Sequence, residues 1–250
     1  MSGTKIRGLS REQLTHGLVQ VSLDLTTIDE ALRTAAIAVE AGVDWLEVGT
    51  PLALAEGTRA VRALRKEFPD HPLVADLKIM DGGYGESRMY GDAGANAVVV
   101  MARAHDATIE RACAAGEEYD LLVMADDMGS TDHAAEARRV ESLGVGMVIH
   151  HLGHDHRSVN RHLNLSPLTT LPDVVAATTV PVQAVGGLSI EQAVGCPAIG
   201  AGVVVFGAPL VISEESARTV PTEDLLGVLS GAVARVHAAV VAHPTPTSTS

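Results

Sequence analysis

Residues 72–101 read PLVADLKIMDGGYGESRMYGDAGANAVVVM, and this stretch decides the fold. A short apolar run turns polar at its end (72–77) and gives way to an amphipathic segment (84–93). After the joint Asp92-Ala93-Gly94-Ala95-Asn96 comes a second apolar run (96–101). That is the pattern of a strand, a crossover helix and a parallel strand. The same rhythm continues outward in both directions. Strands are predicted at 18–24, 43–48, 72–77, 96–101, 120–125, 145–151, 181–185 and 202–206. Helices are predicted at 28–41, 52–67, 84–93, 106–118, 132–143, 168–178, 189–194 and 222–241. The joint recurs as Glu40-Ala41-Gly42-Val43-Asp44 and Ser142-Leu143-Gly144-Val145-Gly146, with glycine as the left-handed helix C-cap. Eight such units predict an α/β chain folded as a single-domain (βα)8 TIM barrel over 18–242. Alternation alone leaves an open doubly wound sheet as the other solution. Residues 1–17 read as an N-terminal extension, the polar stretch 152–166 as a lid candidate, and the Pro/Thr/Ser-rich 243–250 as a disordered tail.

Composition narrows the function. Of 250 residues, 46% are hydrophobic but only 2% aromatic, so the core must be built from Val, Leu, Ile, Ala and Met. The formal charge of −13, with no Lys/Arg-rich run, argues against nucleic acid and against an anionic membrane surface. It leaves room for a local cationic pocket holding one phosphate. Cys113 and Cys196 are unrelated in spacing, which suggests neither a disulfide framework nor a cysteine zinc site and fits a reducing, cytoplasmic setting. The first 17 residues carry no apolar signal core, and the longest apolar run, 97–102, is too short to span a bilayer, so a soluble protein is expected.

In a barrel of this kind the chemistry sits where strands end. The polar residues there are Asp24, Glu47, Asp76, Lys78, Asp126 and His151, each among apolar neighbours. Asp76 and Lys78 are two apart, which on a regular strand gives them one face, and Asp81 follows in the loop. A lysine flanked by carboxylates stays charged and is placed to donate a proton or stabilise an oxyanion. A structural ion-pair network would show the same Asp-x-Lys-x-x-Asp spacing. Glu47 and Asp76 end adjacent strands and offer the hard oxygen ligands that suit Mg²⁺ (or Mn²⁺); by spacing alone, capping of the following helix would also explain Glu47. The run His150-His151-Leu152-Gly153-His154-Asp155-His156 invites a zinc site. Neighbouring His150 and His151 face opposite sides of a strand, however, so a multi-histidine cluster would have to be assembled from the loop, and an acid/base role for His151 is preferred. Gly186-Gly187 after the seventh strand and Gly207-Ala208 after the eighth present backbone amides where barrels often hold a phosphate; tight turns would also explain them.

With these residues in hand, a family resemblance follows. Leu23-Asp24-Leu25-Thr26, the segment Gly42 to Pro51 and Ala75-Asp76-Leu77-Lys78-Ile79-Met80-Asp81 resemble 3-hexulose-6-phosphate synthase and the related 3-keto-L-gulonate-6-phosphate decarboxylase, in the orotidine-monophosphate decarboxylase superfamily. The resemblance covers about 18–210 and is most specific at Asp-x-Lys-x-x-Asp. It implies a homodimeric barrel that takes a small phosphosugar, holds Mg²⁺ through Glu47 and Asp76, works through a 1,2-enediolate, and lends Asp81 to the neighbouring subunit's site. In the synthase-like reaction His151 removes a proton from ribulose 5-phosphate and the resulting carbon adds to formaldehyde. In the decarboxylase-like reaction the enediolate arises by loss of CO₂. His151-Leu152-Gly153-His154-Asp155 resembles the synthase's His-x-Gly-x-Asp, where the decarboxylase has Arg at the position of His154. Departures are Ala208-Pro209 after Gly207, without the decarboxylase's Arg, and Arg157, Asn160 and Arg161 in the lid region. A sugar-phosphate-binding barrel without catalysis is the reading of another class.

Overall fold

The computed structural model describes residues 6–163, 165–208, 211–213, 218–219 and 222–243. Eight parallel strands form a closed barrel: β1 (Leu18–Leu23), β2 (Trp45–Val48), β3 (Leu73–Ile79), β4 (Ala97–Met101), β5 (Leu122–Asp126), β6 (Met147–His151), β7 (Val182–Val185) and β8 (Val203–Ala208). Pairing of β1 with β8, Leu18 opposite Val203 through Leu23 opposite Ala208, closes the ring and rules out the open sheet. The helices are α1 (Ile28–Glu40), α2 (Thr50–Glu56), α3 (Thr58–Glu67), α4 (Gly83–Gly91), α5 (Asp106–Tyr119), α6 (His133–Ser142), α7 (His154–Val159), α8 (Leu171–Ala177), α9 (Ile190–Ile199) and α10 (Thr222–His237). Gly42, Gly94 and Gly144 have φ of +87°, +105° and +98°, the left-handed conformation that the recurring joint requires.

Two apolar layers result from strand alternation. Outward positions pack against the helices, as in Leu46, Val98, Val148 and Val204 against Ala35, Leu64 and Ile109. Inward positions fill the barrel with Trp45, Val74, Val99, Met124, Met147, Ile149 and Val203. Ile6, Leu14 and Val241 join this inner cluster, so residues 6–14 and the segment after α10 plug the N-terminal end of the barrel. A bridge between His16 and Val240 ties the two segments together. The inner filling is aliphatic up to the C-terminal rim, where polar groups replace it.

Four expectations change in detail. The helix predicted at 52–67 is two helices broken at Gly57, whose φ of +57° and ψ of −144° lie outside the helical region. Residues 152–166 carry the short helix α7 and a 3₁₀ turn at Arg161–Leu163. The ninth helix runs past Gly195 and Pro197 to Ile199, ending on the left-handed Gly200. A two-stranded antiparallel piece, β9 (Val211–Ser213) with β10 (Arg218–Thr219), follows β8 where no strand was predicted. Residues 244–250 of the tail expected at 243–250, and Pro209 beside Ala208, lie outside the described residues. Among the described residues no helix is long and apolar enough to cross a membrane.

Candidate active site

The inward positions of the strands become polar one turn of the pleat below the rim. From β1 come Gln20 and Ser22, from β2 Glu47, from β3 Asp76, from β5 Asp126 and from β7 Gln183, all buried. Asp24, just past β1, and His151, the last residue of β6, stand above them. Water-facing origin does not account for six buried polar groups inside an aliphatic barrel; unpaired, each would carry a desolvation penalty.

Their hydrogen bonds form a chain across the floor of the mouth. Gln183 Nε2 donates to Gln20 Oε1 at 2.9 Å, and Gln20 in turn donates to Glu47 Oε2. Ser22 Oγ lies 2.7 Å from Glu47 Oε1 and 2.9 Å from Asp24 Oδ1. One hydroxyl proton cannot serve both carboxylates, so a proton on Glu47 completes the chain, with Glu47 donating to Ser22 and Ser22 to Asp24. The electrostatics agree: burial, together with the neighbouring charges of Asp76 and Asp24, pushes Glu47 up to about 8. Burial also raises Asp24, against the hydrogen bond from Ser22.

Lys78 supplies the positive charge. Its Nζ contacts Asp76 Oδ2 and lies 3.0 Å from Thr50 Oγ1, which itself donates to Asp76 Oδ2 at 2.6 Å. Burial pulls the ammonium down, but Asp76, Asp126 and Glu47 outweigh it and hold Lys78 above its ordinary value. Asp76 and Lys78 meet as expected, but not through simple two-residue alternation. Lys78 has φ +47° and the pairing of β3 with β4 shifts between Ala75 and Ile79, so a bulge re-aims the lysine. A non-glycine residue in this conformation is strained, which strands tolerate at functional positions.

His151 Nδ1 lies 2.7 Å from Asp126 Oδ2, and Asp126 Oδ1 accepts from the Met128 amide at 2.8 Å. The carboxylate only accepts, so Nδ1 carries the proton and Nε2 keeps a lone pair. Asp126 thus fixes the orientation of the His151 ring. Asp81 is exposed and accepts from the Gly82 amide at 2.8 Å. Gly186, with φ +124°, sits so tightly on the Leu152 backbone that a Cβ there would collide with it. Gly187 (φ +66°) continues that turn, while Gly207 and Ala208 pair with Ser22 and Leu23 of β1 at the rim. His154 and Asp155 are exposed on α7.

The same alternation that aims His151 inward aims His150 outward. The expectation that any histidine cluster would come from the 152–166 loop is corrected: His150 meets Asp127, the residue after β5, and His133, the first residue of α6. Among the described residues this is the group of three whose ligand atoms converge, all within 4.8 Å. Nothing local in the sequence marks Asp127 or His133, and neither is among its candidate site residues. Gln20 and Gln183 also lie outside that set, although a polar side chain at an inward strand position is a usable signal. Thr50 gave only that of a helix start after Gly49.

Comparison with known proteins adds to this geometry. The family described as orotidine 5'-phosphate decarboxylase / HUMPS matches residues 17–211. The 3-hexulose-6-phosphate synthase of Mycobacterium gastri is 34% identical over 195 residues, 77% of this chain and 90% of the relative. The 3-keto-L-gulonate-6-phosphate decarboxylase UlaD of Escherichia coli is 32% identical over 178 residues, 70% of this chain and 80% of the relative. A crystal structure of 3-hexulose-6-phosphate synthase superposes with a TM-score of 0.75 at 31% identity, covering 86% of this chain and 99% of the other.

Proposed function

The chain belongs to the orotidine 5'-phosphate decarboxylase / HUMPS family, and from that premise we propose that it is a metal-dependent carbon–carbon lyase of the 3-hexulose-6-phosphate synthase kind, joining ribulose 5-phosphate to formaldehyde. The observation that carries this is the His151–Asp126 dyad: Nδ1 is tied down and Nε2 is free to take a proton, in a mouth that also holds Lys78. The synthase-like His151-x-Gly153-x-Asp155 supports the choice over the decarboxylase.

The carboxylate set fits a hard divalent cation, Mg²⁺ or Mn²⁺. Among the described residues Asp76 Oδ1 is buried with no partner, and the carboxyl groups of Asp24, Glu47 and Asp76 crowd together beside Lys78. Glu47 and Asp76 would hold the ion, which when bound supplies charge stabilisation for sugar oxygens. His151 Nε2 takes the proton from C1 of ribulose 5-phosphate. Lys78, kept charged by its carboxylates, stabilises the enediolate oxygen. C1 then forms the new bond to the formaldehyde carbon, whose oxygen takes up a proton. The amides at Gly186, Gly187, Gly207 and Ala208 receive the phosphate, as glycine-exposed barrel loops do. Leu54 on α2, Met80 just past β3 beside Asp81, and Met89 on α4 are exposed apolar side chains, which supports a homodimer in which Asp81 reaches the neighbouring site.

The test is exchange at C1. Ribulose 5-phosphate in D₂O with Mg²⁺-loaded protein should gain deuterium without formaldehyde and give a hexulose phosphate with it. Absence of both, with decarboxylation of 3-keto-L-gulonate 6-phosphate instead, would move the assignment to the decarboxylase; binding without any turnover would make the barrel a sensor.

A further inference from the structure

Adjacent residues split across the barrel wall between β5 and β6. Asp126 and His151 pair on the inside, while Asp127 and His150 pair on the outside, beneath α6 and α8. We propose that Asp127, His133 and His150 form a second cation site, for a zinc-class transition metal, distinct from the hard-cation site in the mouth.

Asp127 Oδ2 lies 2.8 Å from His133 Nδ1 and 2.7 Å from His150 Nδ1, so one oxygen and two imidazole nitrogens converge. Two imidazoles with one carboxylate suit zinc and its neighbours, whereas the all-carboxylate mouth suits magnesium. His150 Nε2 lies 3.0 Å from the Pro167 carbonyl and 2.9 Å from Thr170 Oγ1. A carbonyl only accepts, so Nε2 bears the proton and the Nδ1 lone pair of the neutral ring faces the carboxylate oxygen. Two lone pairs 2.7 Å apart need a positive charge between them. A proton bridges one such pair; a single metal ion engages His150, His133 and Asp127 together. The Pro167 carbonyl behind His150 is the outer partner that fixes a metal-binding imidazole's tautomer.

The surroundings suit a resident ion. Asp127 and His150 are almost fully buried, while the His133 side chain is 24% exposed and gives the cluster an edge on solvent. Asp132 and Glu136 add negative field at His133. Asp127 Oδ1 also accepts from the His151 amide at 2.8 Å, so an ion here would stiffen the strand end that carries the inner histidine.

The experiment uses full-length protein stripped by a chelator and then held in excess Mg²⁺ to occupy the mouth. Zn²⁺ is titrated against a competing zinc indicator. One Zn²⁺ per chain is expected, with affinity reduced more than about 100-fold in His133→Ala and in His150→Gln but changed less than about threefold in Glu47→Gln. His133 is part-exposed, so its variant keeps the fold, which circular dichroism checks. Absence of stoichiometric zinc binding overturns the proposal, and the charge in the wall is then a proton. Binding that survives His133→Ala within a few-fold, or that is lost in Glu47→Gln, also overturns it.

Discussion

Replacing Glu47 by Gln separates the two states that the mouth is built for. Without metal, Glu47 keeps its proton up to about pH 8, against an ordinary 4.5. Gln matches that neutral form: its amide nitrogen can donate to Ser22 Oγ where the Glu47 Oε1 proton did, and its oxygen can accept from Gln20. Between pH 4.5 and 8 the unfolded chain has lost this proton and the folded chain retains it, so wild-type stability falls as pH rises, by about 1.4 kcal/mol per pH unit. The whole window is worth at most about 5 kcal/mol, and about 2 kcal/mol has been lost by pH 6. Glu47→Gln lacks this slope. Urea unfolding with a chelator at pH 5, 6, 7 and 8 should therefore show the variant increasingly more stable than wild type, by several kcal/mol at pH 8. Saturating Mg²⁺ should reverse the order, since ligand at about 100 times its Kd stabilises by about 2.7 kcal/mol and the variant has lost a ligand. A variant less stable than wild type at pH 8 without metal, or a pH-independent difference, refutes a neutral Glu47.

His151→Ala should slow C1 proton exchange by roughly 10²–10⁴-fold while leaving Mg²⁺ affinity intact, whereas Asp76→Ala should abolish both; calorimetry beside an NMR exchange assay checks the pair. Asp126→Asn lets an amide donate to His151 Nδ1 and leaves Nε2 protonated, so exchange should fall by at least about 10²-fold with unchanged metal binding. Gly186→Ala meets both a φ of +124° and the Leu152 backbone, and thermal unfolding should show a loss of about 1–3 kcal/mol. Leu54→Glu places charge on an apolar side chain that is 82% exposed; sedimentation should shift from dimer to monomer, and activity per chain should drop if Asp81 serves the neighbouring site. Unchanged sedimentation as a dimer would remove Leu54 from the interface.

The βα rhythm was legible in the sequence, because apolar alternation, helix caps and the glycine joints at 42, 94 and 144 are local signals that act within one unit. So was the placing of Asp24, Glu47, Asp76, Asp126 and His151 towards the C-terminal ends of strands, since a polar side chain after an aliphatic run has few other uses. Tertiary structure decided the rest through contacts that no local pattern encodes. Closure is a pairing of β1 with β8 across most of the chain. The aim of Lys78 depends on a bulge, set by how β3 meets β4 rather than by its own alternation. Most of all, Asp126 and Asp127 differ by one position along the chain but lie on opposite sides of the wall. The register of β5 against β6, with Asp126 opposite Ile149, gives the first to His151 in the mouth and the second to His150 and His133 behind it.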